Sequence, residues 1–446
     1  MAAGKGTRMY SDTPKVLHRI GGRSMLGHVV DSARALGSTR IHLVVGFEGD
    51  RIRAAFTEDD LHCVNQDQQL GTGHAVMQAM PAINDDSVVL VLYGDVPLIR
   101  SETLNELVQR TAGDALAVLT LISPDPTGLG RIIRDAQGEP VAIVEDKDAN
   151  AEQKQIKETN SGILAVSARM LRQWISRLQT NNAQGEYYLT DVIALAVAEG
   201  TRVTTLTVED PMEVQGVNNR LQLAELERHY QNARTRQLLL QGVTLADPAR
   251  VDIRGSLTCG RDVEIDINVI FEGEVVLGDR VRIGPNVVLR NTQVGDDTEI
   301  LANSHIEESS VRAKCSIGPF ARLRPGTELD NGAKVGNFVE IKKSVVGPGS
   351  KVNHLSYIGD ATLGKNVNVG AGTITCNYDG VNKFRTEIAD GVFIGSNSSI
   401  VAPAKLGENA TIGAGSVITR EVPDANLAVA RGRQSNIEGW KRPTKK

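Results

Sequence analysis

Three stretches of this chain carry residue types whose spacing suits chemistry on phosphates. Residues 2–9, Ala2-Ala3-Gly4-Lys5-Gly6-Thr7-Arg8-Met9, form a compact glycine-rich segment. Small side chains let backbone N–H groups come close to a phosphate, and Arg8 adds a charge-assisted donor. The spacing is not that of a Walker A loop, which ends in Lys-Ser/Thr. Taken alone, the segment reads equally as a plain turn. Pro14-Lys15 follows within reach. A second small-residue turn, Gln69-Leu70-Gly71-Thr72-Gly73-His74-Ala75, suits a base or a sugar, and by itself is first a structural turn. Val91-Leu92-Tyr93-Gly94-Asp95-Val96-Pro97 says more. It places an aspartate at the C-terminal end of an apolar run, the edge where open α/β sheets bind ligands. A carboxylate there suits Mg²⁺, which needs only one or two protein oxygens beside nucleotide phosphates. A helix cap is the alternative, though no helix signal follows Pro97 directly.

The elements that must position these groups fall into two textures. Up to about residue 215, apolar runs at Ile41–Val45, Val88–Leu92 and Leu116–Leu121 read as buried parallel strands. Amphipathic helical patterns over Met25–Leu36 and Glu102–Thr111 alternate with them. The expected class is a Rossmann-like α/β domain with a mostly parallel sheet, over residues 1–219. Residues 220–241 are leucine-bearing, charge-rich and free of proline, which predicts one long linker helix.

From about residue 250 aliphatic residues recur at every sixth position. The clearest run is Ile388, Ile394, Ile400, Leu406, Ile412, Ile418, and a second is Ile317, Leu323, Leu329, Val335, Ile341. Glycine often follows directly. This period predicts a parallel β-helix of hexapeptide repeats over residues 242–446, the aliphatic residues stacking inward. Residues 376–387, CNYDGVNKFRTE, have no hexad phase and read as an excursion loop. Loops on rigid scaffolds often carry function. Two histidines in this half, His305 and His354, are candidate bases near neutrality, and the residues alone do not choose between them.

Composition excludes several classes. Hydrophobic residues make up 41% and charged residues 23%, and the net charge is −5, which disfavours bulk nucleic-acid binding. No apolar stretch has the length of a membrane span, and residues 1–10 lack the apolar core of a signal peptide. Cys63, Cys259, Cys315 and Cys376 lie far apart, which suggests neither a disulfide framework nor a zinc site and fits a reducing cytoplasm.

The motifs AAGKGTRM, PKVLH, QLGTGHA, YGDVPL, GLGRI, IVEDKDA, TNSGI, GEYYLTD and GVNNRLQL occur in turn. RLRPG, NFVEIKK, NHLSYIGD, NVGAGTITCNYDG and IGSNS follow in the repeat region. Over essentially the whole chain this order resembles the bacterial bifunctional family that combines N-acetylglucosamine-1-phosphate uridylyltransferase with glucosamine-1-phosphate acetyltransferase. The resemblance implies synthesis of UDP-N-acetylglucosamine, a precursor for peptidoglycan and lipopolysaccharide, from UTP and acetyl-CoA, and a left-handed β-helix in a homotrimer. In the first half, Ala2, Ala3 and Gly4 would line the nucleotide, and Arg8 and Lys15 would neutralise phosphates. Gln66, Gly71 and Thr72 would recognise uracil. Tyr93, Gly94, Gly130, Glu145 and Asn160 would hold the sugar phosphate, and Asp95 and Asn218 would ligate Mg²⁺. In the second half NHLSYIGD selects His354 as general base. Arg324 and Lys342 would bind the phosphate, Tyr357 and Asn368 the sugar. Ala371, Asn377, Tyr378, Ser396, Ala414 and Arg431 would contact acetyl-CoA, two of them from the excursion loop. The basic tail Lys441, Arg442, Lys445 and Lys446 reads as a solvated end.

The resemblance also implies a short apolar strand ahead of AAGKG, where this sequence has Met1. The expectation is a weakened uridylyltransferase half and an unimpaired acetyltransferase half, since solenoid coils are stabilised by their neighbours. Two other readings share the architecture: a glucose-1-phosphate nucleotidyltransferase with a regulatory β-helix, and a non-catalytic subunit of a translation-factor exchange complex. NHLSYIGD and TITCNYDG argue against the first. Arg8, Lys15, Asp95 and Asn218 argue against the second.

Overall fold

The computed structural model describes residues 1–38 and 40–445. The chain divides into two compact units, Met1–Tyr230 and Gln231–Lys446.

In the first unit, Leu116–Ile122 is buried along nearly its whole length and pairs in parallel with Val203–Thr207. Ile41–Val45 pairs in parallel with Leu61–Asn65. The ten-residue strand Glu158–Ser167 runs antiparallel to Val88–Val91 and Leu116–Ile122 and was not singled out from the sequence. Its first half, Glu-Thr-Asn-Ser-Gly, is polar and hides the strand signal. Helices Met25–Ala35 and Ser101–Gln109 form within a residue or two of the expected bounds. Ser24 starts the first by accepting from the Gly27 N–H at 3.1 Å, which satisfies one of the orphan donors of the first turn.

An apolar slot of about 640 Å³ separates Ile41–Val45 from Val88–Val91; Val30, Leu43, Val89 and Val91 are among its lining residues. One end is tied by the first two residues. The Met1 amino group donates to the Leu92 carbonyl at 2.6 Å, and the Met1 carbonyl accepts from Gly94 N at 2.9 Å. Ala2 N donates to Val44 O at 2.7 Å, and Ala2 forms a parallel bridge with Val45.

Arg220–Leu240 is one helix of 21 residues. At its second-unit end Gln231 is fully buried. Its amide donates to Ile253 O at 3.0 Å and accepts from Ile253 N at 2.8 Å. The helix thereby gives the first coil of the second unit the two hydrogen bonds that a preceding coil would otherwise supply.

The second unit is a parallel β-helix. Val251 pairs with Val269, eighteen residues on, so that three hexads close one coil. Three inward columns of aliphatic residues result. One contains Ile317, Val335, Val352 and Val369; another Leu323, Ile341 and Ile358; the third Leu329, Val346 and Leu363. All are buried. Residues with positive φ recur at the corners, among them Asn268, Asn286, Asn303, Phe320, Phe338 and Leu355. One coil is longer, because Val369 pairs with Ile394. The extra chain is the excursion loop, which leaves the coil after Ile374–Cys376 and returns at Thr386–Ile388. Tyr378 and Lys383 form an antiparallel bridge inside it.

Candidate functional site

In the first unit the glycine-rich segment turns sharply at Gly6, which has φ +59°. A Cβ there would lie 2.7 Å from the Lys15 Cβ, so glycine lets the two cationic segments come together. A short 3₁₀ turn, Thr7–Met9, carries Arg8 outward, and a second, Lys15–Leu17, carries Lys15. Lys15 Nζ is ion-paired to Asp95 and lies 3.3 Å from Asn218 Oδ1. Arg8 Nη2 donates to the same Asn218 oxygen at 3.0 Å. Four residues expected from the sequence therefore converge on one point from four segments.

Asp95 and Asn218 both present oxygens to the Lys15 ammonium, so the pair suits a hard cation that keeps most of its water, as Mg²⁺ does. Among the described residues no group of three or more His, Cys, Asp or Glu side chains could form a protein-dominated metal cage.

The base-recognition candidates gather beside the loop. Gln66 is buried and donates to Gly71 O at 3.1 Å. Gly71, at φ +106°, precedes the helix Thr72–Ala79, and a Cβ on it would sit 2.7 Å from the Tyr187 carbonyl. Thr72 Oγ1 accepts from Leu189 N at 3.1 Å. The polar half of Glu158–Ser167 borders the sugar-phosphate candidates. Gly130 O accepts from Asn160 N at 2.8 Å. A Cβ on Gly162 would meet the Tyr93 ring at 2.5 Å, and one on Gly130 would meet the Glu145 carboxylate at 3.3 Å. Burial raises both ionisable groups here: the Tyr93 phenol, with Glu145 and Asp95 adding to the effect, and the Glu145 carboxyl, which a hydrogen bond from Thr190 partly restrains. Thr190 Oγ1 lies 3.1 Å from Glu145. It was not singled out from the sequence, although GEYYLTD contains it.

In the second unit His354 ends the strand Lys351–His354 and is exposed. Its Nδ1 lies 2.7 Å from Asn337 Oδ1 on the preceding coil. The next coils stack above it in order: Gly372 N donates to His354 O, Asn397 N to Ala371 O, and Gly415 N to Ser396 O. Ala371, Ser396 and Ala414, expected to touch acetyl-CoA, thus form a column with His354. Arg431 Nη1 reaches Ala414 O at 2.7 Å. His305 is placed apart from this column, in the strand His305–Glu307 pairing with Arg322, and its buried Nε2 has no partner.

A charge ladder marks the phosphate candidates. Arg254, Glu272, Arg290 and Glu307 alternate in sign through successive coils, joined by ion pairs of 3.1, 2.7 and 3.7 Å. The alternation ends at Arg324 and Lys342, adjacent in register. Arg324 Nη1 is paired to Glu340 at 2.8 Å. Lys342 is held below the usual lysine range, first by Lys383 and then by partial burial and Arg324. Lys383, from the excursion loop, escaped the sequence reading because nothing in the hexad pattern fixes where that loop returns. Asn377, at its base, is hydrogen-bonded to Asp360, and Tyr378 is exposed. Tyr357 and Asn368 lie on flanking strands.

A glycine-rich loop with converging Arg8, Lys15, Asp95 and Asn218 on an α/β domain, joined to a hexapeptide β-helix, defines the class as a transferase of two domains. Comparison with known proteins agrees. The MobA-like NTP transferase domain family matches residues 1–182. The bacterial transferase hexapeptide family (six repeats) matches 257–291 and 385–420. The bifunctional protein GlmU of Marinobacter nauticus is 59% identical over 445 residues, spanning 100% of this chain and 98% of its own. Those of Pseudomonas putida and Cellvibrio japonicus are 58% and 59% identical with the same coverage. The chain belongs to this bifunctional GlmU family, a nucleotidyltransferase and an acetyltransferase in one polypeptide.

Proposed function

We propose that residues 1–219 transfer uridylyl from UTP to N-acetylglucosamine-1-phosphate and that residues 242–446 make that acceptor by acetylating glucosamine-1-phosphate. The convergence of Arg8, Lys15, Asp95 and Asn218 carries the first assignment. The sugar phosphate oxygen attacks the α-phosphorus of UTP, and pyrophosphate leaves. Alignment and charge neutralisation suffice for this in-line exchange. Arg8 and Lys15 neutralise phosphate oxygens, while Tyr93, Gly94, Gly130, Glu145 and Asn160 hold the acceptor. Ala2, Ala3 and Gly4 line the nucleotide, and Gln66, Gly71 and Thr72 take the uracil. Asp95 and Asn218 would hold Mg²⁺, which would supply charge neutralisation for the phosphates.

In the second unit His354 takes a proton from the substrate ammonium through Nε2. The freed amine attacks the thioester carbonyl, the C–S bond breaks, and CoA leaves as the thiol after receiving a proton. Arg324 and Lys342 grip the phosphate, Tyr357 and Asn368 the sugar. Acetyl-CoA lies along Ala371, Ser396 and Ala414, with Asn377, Tyr378 and Arg431 beside it. A homotrimer and a cytoplasmic location complete this reading. The chain has no described helix long and apolar enough to cross a membrane, and its ligands are small anions, neither nucleic acid nor lipid.

The test is to assay the half-reactions separately. H354A abolishes thiol release from acetyl-CoA and leaves pyrophosphate release intact. D95A does the reverse. If both variants lose both activities, or neither loses any, the assignment of sites to units is wrong. Absence of thiol release in the unaltered chain would favour a nucleotidyltransferase with a regulatory β-helix.

A further inference from the structure

We propose that Asn337 is the positioning residue for the acetyl-transfer base: its side-chain oxygen accepts the Nδ1–H of His354 and so holds the imidazole in the tautomer whose Nε2 lone pair faces the substrate amine. This rests on the reading of His354 as that base.

Asn337 and His354 are register partners at the ends of two stacked strands, Lys334–Asn337 and Lys351–His354. The Oδ1···Nδ1 distance is 2.7 Å, a well-formed hydrogen bond. An amide oxygen can only accept, so the ring nitrogen facing it carries the proton and the other is left basic. The residues that follow hold both side chains in place. Phe338 and Leu355 have φ of +55° and +51°, a left-handed conformation that bulky residues adopt only where the surrounding fold holds them there. Phe338 also stacks on Phe320 one coil earlier, with ring centroids 5.2 Å apart. The corner therefore turns identically in adjacent coils and delivers the amide and the imidazole side by side.

The acceptor is neutral, and that has a chemical consequence. A carboxylate in this place would stabilise the imidazolium and raise its pKa. An amide fixes the tautomer without adding a charge beside the ring. Other charges on the packed strands lie away from the ring. Lys334 and Lys351 pair with each other at the opposite ends of their strands. The following strand, Asn368–Val369, bears no charge, and Ala371 and Gly372 occupy the stack above His354.

Three variants of the full chain test this: N337L, N337D and H354A. N337L keeps the size and removes the acceptor. It is expected to lower kcat for acetyl transfer by about ten- to a hundredfold, with KM for both substrates nearly unchanged. N337D restores the acceptor. It is expected to recover most of the rate at high pH while moving the acid limb of kcat/KM upward by about one pH unit. Pyrophosphate release should stay constant in all three variants, which reports intact protein. If H354A abolishes thiol release but N337L retains the full rate and an unshifted pH profile, the role given to Asn337 is overturned while His354 stands. If H354A retains thiol release, the underlying reading falls first.

Discussion

Lys342 sits where a run of alternating charges gives way to two cations in adjacent coils, and Lys383 brings a third from outside the repeat. Lys383 and Arg324 together hold the Lys342 ammonium below the usual lysine range, so the cluster is under-neutralised until an anion arrives. A phosphate that accepts from Lys383 gains a charge-assisted hydrogen bond, about 1.5–3 kcal/mol. K383A is therefore expected to raise KM for glucosamine-1-phosphate roughly tenfold or more while changing kcat little. The same substitution should make KM less sensitive to salt. An unchanged KM would remove Lys383 from the phosphate site. Arg324, Lys342 and His354 were singled out in the sequence because motifs carry them. Lys383 and Thr190 were not, because their importance lies in what they touch.

Among elements, the hexad coils were the most legible. A period of six admits one architecture, and each aliphatic position found its column. Strand Glu158–Ser167 was the least legible. It alternates neither polarity nor size, because one half packs in the core and the other borders the site. Its antiparallel course follows from neighbours on both sides, which no local pattern records. The slot between Ile41–Val45 and Val88–Val91 belongs to the same scale. Two parallel-oriented edges face across it, and residues 1 and 2 already bond to both.

At the scale of the whole chain, the two units carry different acid sensitivities. Burial lowers the pKa of His18, His28 and His42, all in the first unit; Arg220 adds to this for His18 and His62 for His42. A histidine depressed on folding contributes stability that is present above its unfolded value and lost as pH falls through its folded one. Buried Glu145 and Asp191 act in the opposite sense, since their carboxyls are raised on folding. In the second unit several carboxylates are lowered: Glu272 through Arg290, Asp279 through the Arg261 backbone N–H and side chain, and Asp297 through Arg280. Their contribution persists until pH falls below about 4. Acid titration followed by calorimetry is therefore expected to show the first unit losing stability below about pH 6.5 while the second holds. A single transition at all pH values would contradict independent units. The division into two textures was visible in composition alone, because helices and coils demand different glycine and leucine usage. The histidine environments were not, since burial is a property of the assembled fold.

The column from His354 through Ala371 and Ser396 to Ala414 is also a ruler. Each coil adds one strand spacing, about 4.8 Å, and nothing between. Under the proposed assignment, the distance from the His354 ring to the far contact of acetyl-CoA is set by counting coils, three steps or roughly 14 Å. Such a scale lengthens or shortens only by whole divisions. Point changes alter what a division bears, and only the gain or loss of a coil alters how long a thioester arm the enzyme measures.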